Sequence, residues 1–136
     1  MELTNFENLQ IYQLSERLAD DIWDIVARWP VFAKDTVGKQ VVRSADSIGA
    51  NIAEGNGKGT TEDYRRYLRH ARGSLYETKH WMRRAIKREL ISADVEADSR
   101  RIMDELILKL NAYMRSLNER IREERNASAK NQRPKT

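Results

Sequence analysis

The sequence predicts an all-α fold, an antiparallel up-down-up-down bundle of four long helices. Apolar residues recur every three or four positions through four long segments, as on one face of an α-helix. The chain of 136 residues has only 6 glycines and 2 prolines, the residues that interrupt helices and form loops. Four amphipathic helices joined by short loops bury their apolar faces best by packing against one another in alternating directions.

The first predicted helix spans residues 8–29. Its apolar positions share one helical face: Ile11, Leu14, Leu18, Ile22, Ile25 and Trp29. Pro30 predicts the end of this helix, because proline lacks a backbone N–H and disfavours helical geometry in the residue before it.

The second predicted helix spans residues 35–54 and has the same apolar spacing, at Val37, Val41, Ala45, Ile48 and Ile52. Three glycines follow within residues 55–59. Gly55 stands where a left-handed C-cap is expected, so the segment predicts a sharp reversal of the chain.

The third predicted helix begins at the Thr60 and Thr61 pair, where a hydroxyl cap is followed by two carboxylates in the first turn, and runs to about residue 89. Ser92 caps the fourth, over residues 93–124. The apolar positions are Tyr64, Leu68, Ala71, Leu75, Met82 and Ile86 in the third helix, and Val95, Ile102, Leu106, Leu110, Tyr113, Leu117 and Ile121 in the fourth.

The chain therefore divides into a bundle domain, residues 1–125, and a terminal segment, residues 126–136. The terminal segment has no apolar periodicity and carries three basic and no acidic side chains. This composition predicts a flexible basic tail.

Composition also limits the classes of function. The chain has no cysteine, which excludes disulfides, thiolate catalysis and cysteine-ligated zinc. No apolar run approaches the ~20 residues of a membrane span, and the first residues lack a basic signal region. We therefore expect a soluble cytoplasmic protein that does not contact a membrane.

Catalytic and metal-binding motifs do not fit the residues present. Residues 55–61 have neither the order nor the preceding strand of a phosphate-binding loop. His70 and His80 are separated by roughly 15 Å of helical rise, so they cannot share a metal. Glu77 and His80 have the spacing of a di-iron bundle motif, but no second copy exists. We expect no enzymatic activity, no cofactor and no metal.

The third predicted helix carries the most informative surface feature. Residues 61–91 include 9 basic and 4 acidic side chains. A cationic row with one aromatic falls within roughly 40° of one line along this helix. We call it the basic ridge; its residues are Arg65, Arg69, Arg72, Tyr76, Lys79, Arg83 and Lys87.

Two interpretations of the basic ridge remain open. Such a row can pair with phosphates and stack on a base, as in nucleic-acid-binding proteins. It can also be a solvated face, or a seam against acidic residues of the first helix in the same or a neighbouring chain. Those acidic residues are Glu16, Asp20, Asp21 and Asp24.

A polar row flanks the apolar face of the second predicted helix. Small polar residues permit close helix approach, and buried polar groups must be paired. We interpret the row as part of a structural or interface hydrogen-bond network with the third helix. Its predicted members are Gln40, Arg43, Ser47, Asn51, Glu54, Ser74 and Glu77.

These residues also carry a family resemblance. The core Ser-Ile-x-x-Asn-Ile-x-Glu-Gly at residues 47–55, followed by Gly-Ser-x-x-Glu at residues 73–77, resembles the signature of the 23S rRNA-intervening sequence proteins, also called the four-helix bundle protein family. Phe6, Leu9, Gln40, Arg43, Leu68 and Ala71 extend the resemblance, which covers about residues 5–120. Arg43-Ser44-Ala45 departs from a more usual Arg-Ala-Ala type sequence, and the resemblance is silent on the tail.

The resemblance implies a four-helix protomer that assembles into a ring-like homopentamer. It also implies relatedness to the accessory variability proteins of diversity-generating retroelements, which bind nucleic acid and a reverse transcriptase. Two hypotheses follow: a non-enzymatic oligomer that binds RNA or DNA through the basic ridge, or a protein-interaction scaffold, for example for a reverse transcriptase.

Overall fold

The computed structural model describes residues 6–132, which form four long helices and no β-strand. After a single 3-10 turn at Phe6–Asn8, helix α1 spans Gln10–Ala27. Helix α3 spans Thr61–Lys87 and helix α4 spans Ala93–Asn131. The all-helical fold class is confirmed.

Helix α2 occupies residues 31–56 as three helical segments without a break. Val31–Ala33 is α-helical, Lys34–Gly38 is π-helical and Lys39–Asn56 is α-helical again. The helix thus begins four residues before the predicted start. Pro30 stands directly before the first helical residue. Its missing N–H costs no hydrogen bond there, because the first N–H groups of a helix have no intrahelical partner.

The turn between α2 and α3 differs from the prediction at Gly55. This residue is not a left-handed C-cap, since the helix continues through it and Gly59 is the glycine with positive φ. Gly55 is instead buried against α3, and a Cβ built on it would lie 2.6 Å from Cβ of Tyr67. The glycine is needed for the close approach of the two helices.

The predicted caps of α3 and α4 are confirmed. The hydroxyl of Thr60 accepts a hydrogen bond from the backbone N–H of Asp63 at 3.1 Å. The hydroxyl of Ser92 accepts one from the backbone N–H of Val95 at 3.2 Å. Each bond satisfies one of the N–H groups that the first turn of a helix leaves unpaired.

Helix α4 continues seven residues beyond its predicted end, so residues 126–131 are helical rather than irregular. Residues 122–132 are all exposed. Their Glu, Arg, Ala and Lys side chains favour a helix without burial, which is why apolar periodicity did not detect it. Residues 133–136 of the predicted tail lie outside the described residues, and the division of the chain at residue 125 stays a prediction.

The core lies between the helices and receives one apolar face from each. Leu18, Ile48, Leu75 and Leu106, one from each helix, are fully buried. Burial of such a side chain stabilises the fold by about 1.5–3 kcal/mol. Every predicted apolar position is buried or partly buried except Val95, in the first turn of α4, which is 51% exposed.

Each helix packs against two others: α1 and α3 both contact α2 and α4. Between α2 and α3 the hydroxyl pairs are Ser44 with Thr78 and Ser47 with Ser74, so residue numbers rise along one helix as they fall along the other. No helix within residues 6–132 is both long and apolar enough to cross a membrane.

Candidate nucleic-acid interface

The basic ridge lies along the groove between α3 and α4. Arg65 Nη1 donates a hydrogen bond to Asn118 Oδ1 at 2.9 Å, and Arg72 Nη1 donates one to Asn111 Oδ1 at 3.0 Å. The ammonium of Lys79 lies 3.4 Å from Asp104 Oδ1.

The other ridge residues, Arg69, Tyr76, Arg83 and Lys87, are exposed. The contacts of Arg65, Arg72 and Lys79 show that the ridge borders α4 of its own chain. In the described part of the chain, no ion pair joins it to the acidic residues of α1.

The amino-terminal half of the ridge forms one wall of a hollow of about 220 Å³. We call it the arginine hollow; it is lined by Arg65, Arg69, Arg72, Asn111, Met114, Arg115 and Asn118. Four of these residues are arginines and none is acidic. Arg115, on α4, was not among the predicted site residues.

Two of the four charges in the arginine hollow are held in place, and no lining residue neutralises any of them. Asn111 and Asn118 accept hydrogen bonds from guanidiniums through neutral amide oxygens, which contribute no compensating charge. The Nε atom of Arg65 is buried and has no hydrogen-bond partner among the described residues. Like charges in one recess repel each other unless an anion joins them, so the hollow has the electrostatics of an anion site.

The carboxyl-terminal half of the ridge borders a second hollow of about 480 Å³. We call it the tyrosine hollow; it is lined by Tyr76, Lys79, His80, Arg83, Ile86, Glu96, Arg100 and Met103. Its lining contains both basic residues and the acidic Glu96, which lies 3.5 Å from Arg100. Lys87 lines neither hollow and lies in the last turn of α3.

The predicted polar network is present only in part. Asn51 Nδ2 donates to the hydroxyl of Ser47 at 3.0 Å, and the hydroxyl of Ser74 lies 3.1 Å from that of Ser47. Ser44 and Thr78 continue this row with a fully buried pair of hydroxyls 2.9 Å apart. Sequence reasoning missed Thr78 because its position on α3 becomes informative only once the register with α2 is known.

The other four predicted network residues lie outside this row, and of them Glu54 also bonds to α3. Glu54 accepts a hydrogen bond from Tyr67 Oη at 3.4 Å, and Glu77 accepts one from Trp81 Nε1 at 3.4 Å. Gln40 and Arg43 line a surface hollow of about 530 Å³ between α1 and α2. Gln40 and Arg43 do not reach the contact with Ser74, because Ser47 is the residue opposite Ser74 and lies about one helical turn after Arg43 on α2.

Large apolar side chains are exposed on α1 and in the first turn of α2. Trp23, which lines the surface hollow between α1 and α2, is 61% exposed, and Phe32 in the first turn of α2 is 81% exposed. Isolated exposed apolar residues are common, but an exposed tryptophan that lines a hollow is typical of a protein contact surface.

Within residues 6–132, no three His, Cys, Asp or Glu side chains are grouped so as to hold a metal ion. The fold and the groove define an all-helical bundle protein with a cationic recess between two of its helices. The chain belongs to the 23S rRNA-intervening sequence protein family, whose sequence profile matches residues 7–112.

A solved structure shows the same fold. It is a protein of unknown function from the S23 ribosomal protein family of Bacteroides thetaiotaomicron, with a TM-score of 0.69 and 24% sequence identity over 76% of this chain and 97% of that chain. Comparison with functionally curated proteins gave no match.

Proposed function

We propose that this protein is a non-enzymatic, oligomeric helical bundle that binds RNA or DNA through the basic ridge of α3. The observation that carries the proposal is the arginine hollow, which is lined by four arginines and by no acidic residue. The backbone of a nucleic acid supplies the anions that such a recess lacks, and arginine forms paired hydrogen bonds with phosphate oxygens.

The remaining ridge residues extend the cationic surface from this hollow. Arg69, which lines the arginine hollow, and Arg83, beyond it, are exposed and have no ion-pair partner among the described residues, so both are available to phosphates. Lys79 contributes less, because Asp104 lies 3.4 Å from it. The proposed phosphate contacts are therefore strongest toward the amino terminus of α3.

Assembly is part of the proposal. An up-down-up-down protomer in a cytoplasmic homopentameric ring would present the ridge several times. Repeated weak contacts to one polyanion gain strongly from multivalency. Light scattering with and without nucleic acid measures the stoichiometry, and a monomeric protein in solution would contradict this part.

The sharpest test adds carboxylates to the arginine hollow without changing its shape. Asn111→Asp/Asn118→Asp places an ion-pairing oxygen where each amide oxygen now accepts from an arginine. Asn126→Asp/Asn131→Asp is the matched control, because it changes the net charge equally on the exposed end of α4.

We expect the hollow variant to lose at least about tenfold in affinity for RNA or DNA in a mobility-shift assay at low salt, and the control to lose much less. Wild-type affinity should also fall steeply across a salt series. Equal affinities of the two variants, or unchanged affinity after charge reversal at Arg69, Arg72 and Arg83, would reject the surface.

The exposed apolar side chains favour a second candidate function, a protein-interaction scaffold. In this alternative, the protein is related to the accessory variability proteins, and its partner is a retroelement reverse transcriptase. The surface hollow between α1 and α2, bordered by Trp23, would be the contact. A gene neighbourhood with a reverse transcriptase and a variable repeat, and loss of partner binding in Trp23→Ala, would support it.

A further inference from the structure

The tyrosine hollow contains a buried acceptor that the fold leaves without a hydrogen bond. Glu96 is 5% exposed, and its Oε2 atom has no hydrogen-bond partner among the described residues. Arg100 Nη1 lies 3.5 Å from this oxygen, which provides an ionic contact but no hydrogen bond. Buried acceptors are normally paired, so this carboxylate is available to a donor that enters the hollow.

The other walls of the hollow suit a flat ring. Tyr76 is 52% exposed and lines the hollow from α3. Ile86 and Met103 supply apolar surface. A nucleobase combines these requirements, because its face stacks on aromatic side chains while its edge carries N–H donors.

The two hollows follow one another along the same groove. Arg72 of the arginine hollow and Tyr76 of the tyrosine hollow are four residues apart on α3, about one helical turn. One flexible strand can place a phosphate in the first hollow and an unpaired base in the second. A duplex cannot, because the edges of its bases are already paired and their faces are already stacked.

Building on the proposed function, we infer that the α3–α4 groove binds single-stranded nucleic acid and that the tyrosine hollow receives one base with amino or imino donors. Tyr76 stacks on the base and Glu96 accepts its hydrogen bonds. Guanine fits best, because it presents two adjacent donors to a carboxylate. Uracil fits poorly, because carbonyl oxygens flank its single donor and repel Glu96.

Fluorescence anisotropy with labelled octamers tests this inference at low salt. The probes are an all-uridine RNA, the same RNA with one central guanosine, its DNA counterpart, and the guanosine octamer annealed to its complement. We expect the guanosine octamer to bind about fivefold or more tighter than the all-uridine octamer and tighter than the duplex. The RNA and DNA arms establish whether the sugar contributes.

Three variants complete the test. Glu96→Gln should abolish the preference for guanosine without weakening binding of the all-uridine octamer; its melting curve, followed by circular dichroism, checks folding. Tyr76→Ala, at an exposed position, should weaken both octamers about fivefold or more, whereas Tyr76→Phe retains the stacking ring and wild-type affinity.

Equal binding of the two octamers by wild type, a guanosine preference that survives Glu96→Gln, or unchanged binding by Tyr76→Ala would overturn the base pocket. Salt-dependent binding through the arginine hollow would survive those results. Failure of the proposed function has a different signature, since neither octamer nor the duplex would then bind at low salt, and both proposals would fall.

Discussion

The hydroxyl oxygens of Thr78 on α3 and Ser44 on α2 lie 2.9 Å apart, and both side chains are almost completely buried. Each hydroxyl also lies within hydrogen-bond distance of a backbone carbonyl of its own helix, at Ser74 for Thr78 and Val41 for Ser44. The pair therefore links two helices at a point that water does not reach.

Removing one hydroxyl of this pair should lower the free energy of unfolding by more than half of the loss that results from removing both. Thr78→Val and Ser44→Ala should each lower the free energy of unfolding by about 1 kcal/mol, because each leaves the other hydroxyl short of a partner. The double variant should lose less than the sum of the two, by about 0.5 kcal/mol or more. Urea denaturation of the four proteins measures this coupling, and strict additivity would show that the hydroxyls act independently.

The contact of Gly55 with Tyr67 predicts a large effect from one methyl group. Gly55→Ala should destabilise the protein by about 1–3 kcal/mol, because the added Cβ meets Cβ of Tyr67 at 2.6 Å. Gly73→Ala is the matched control: its Cβ meets nothing within 4 Å in the middle of α3, so it should stabilise by about 0.5–1 kcal/mol. Urea midpoints that shift in the same direction for both variants would contradict the close approach.

Burial raises the pKa of the Tyr64 phenol well above its ordinary value, and its neighbour Tyr113 adds to the effect. A raised folded-state pKa means that its contribution to stability is complete below about pH 10 and is lost as the pH rises further. Stability measured by urea denaturation should therefore fall above about pH 10, and Tyr64→Phe should flatten that fall. If stability declined identically in the variant, the decline would be due to ionisable groups other than Tyr64.

The exposed end of α4 should contribute little to stability. Truncation after Arg125 removes a segment whose described part, residues 126–132, is entirely exposed. We expect the free energy of unfolding to change by less than about 0.5 kcal/mol, with a small loss of helical circular dichroism. A cooperative loss of more than about 2 kcal/mol would show that this segment packs on the bundle or on another copy.

Periodicity and caps predicted the fold class because both are local signals. Thr60 and Ser92 cap the helices that they were expected to cap, and Leu18 and Leu106 are buried as their spacing requires. Local signals failed where burial is absent, as in α4 after residue 124, and where Gly55 serves an interhelical contact rather than a turn.

The candidate site was predicted on α3 but not on α4. Arg115 and Glu96 join it only through the register of two helices, which a single sequence does not supply. Asn111 and Asn118 gave no sequence signal either, because an asparagine on a helix has many roles until its partner is known.

Those two asparagines have an entropic consequence. A long arginine side chain gives up rotamer freedom worth roughly 2 kcal/mol when it is fixed. Because Asn111 and Asn118 already orient Arg72 and Arg65 in the folded chain, part of that loss is incurred during folding rather than on arrival of a ligand. The recess is thus preorganised for an anion, while Arg69 at its rim keeps its mobility for the first encounter.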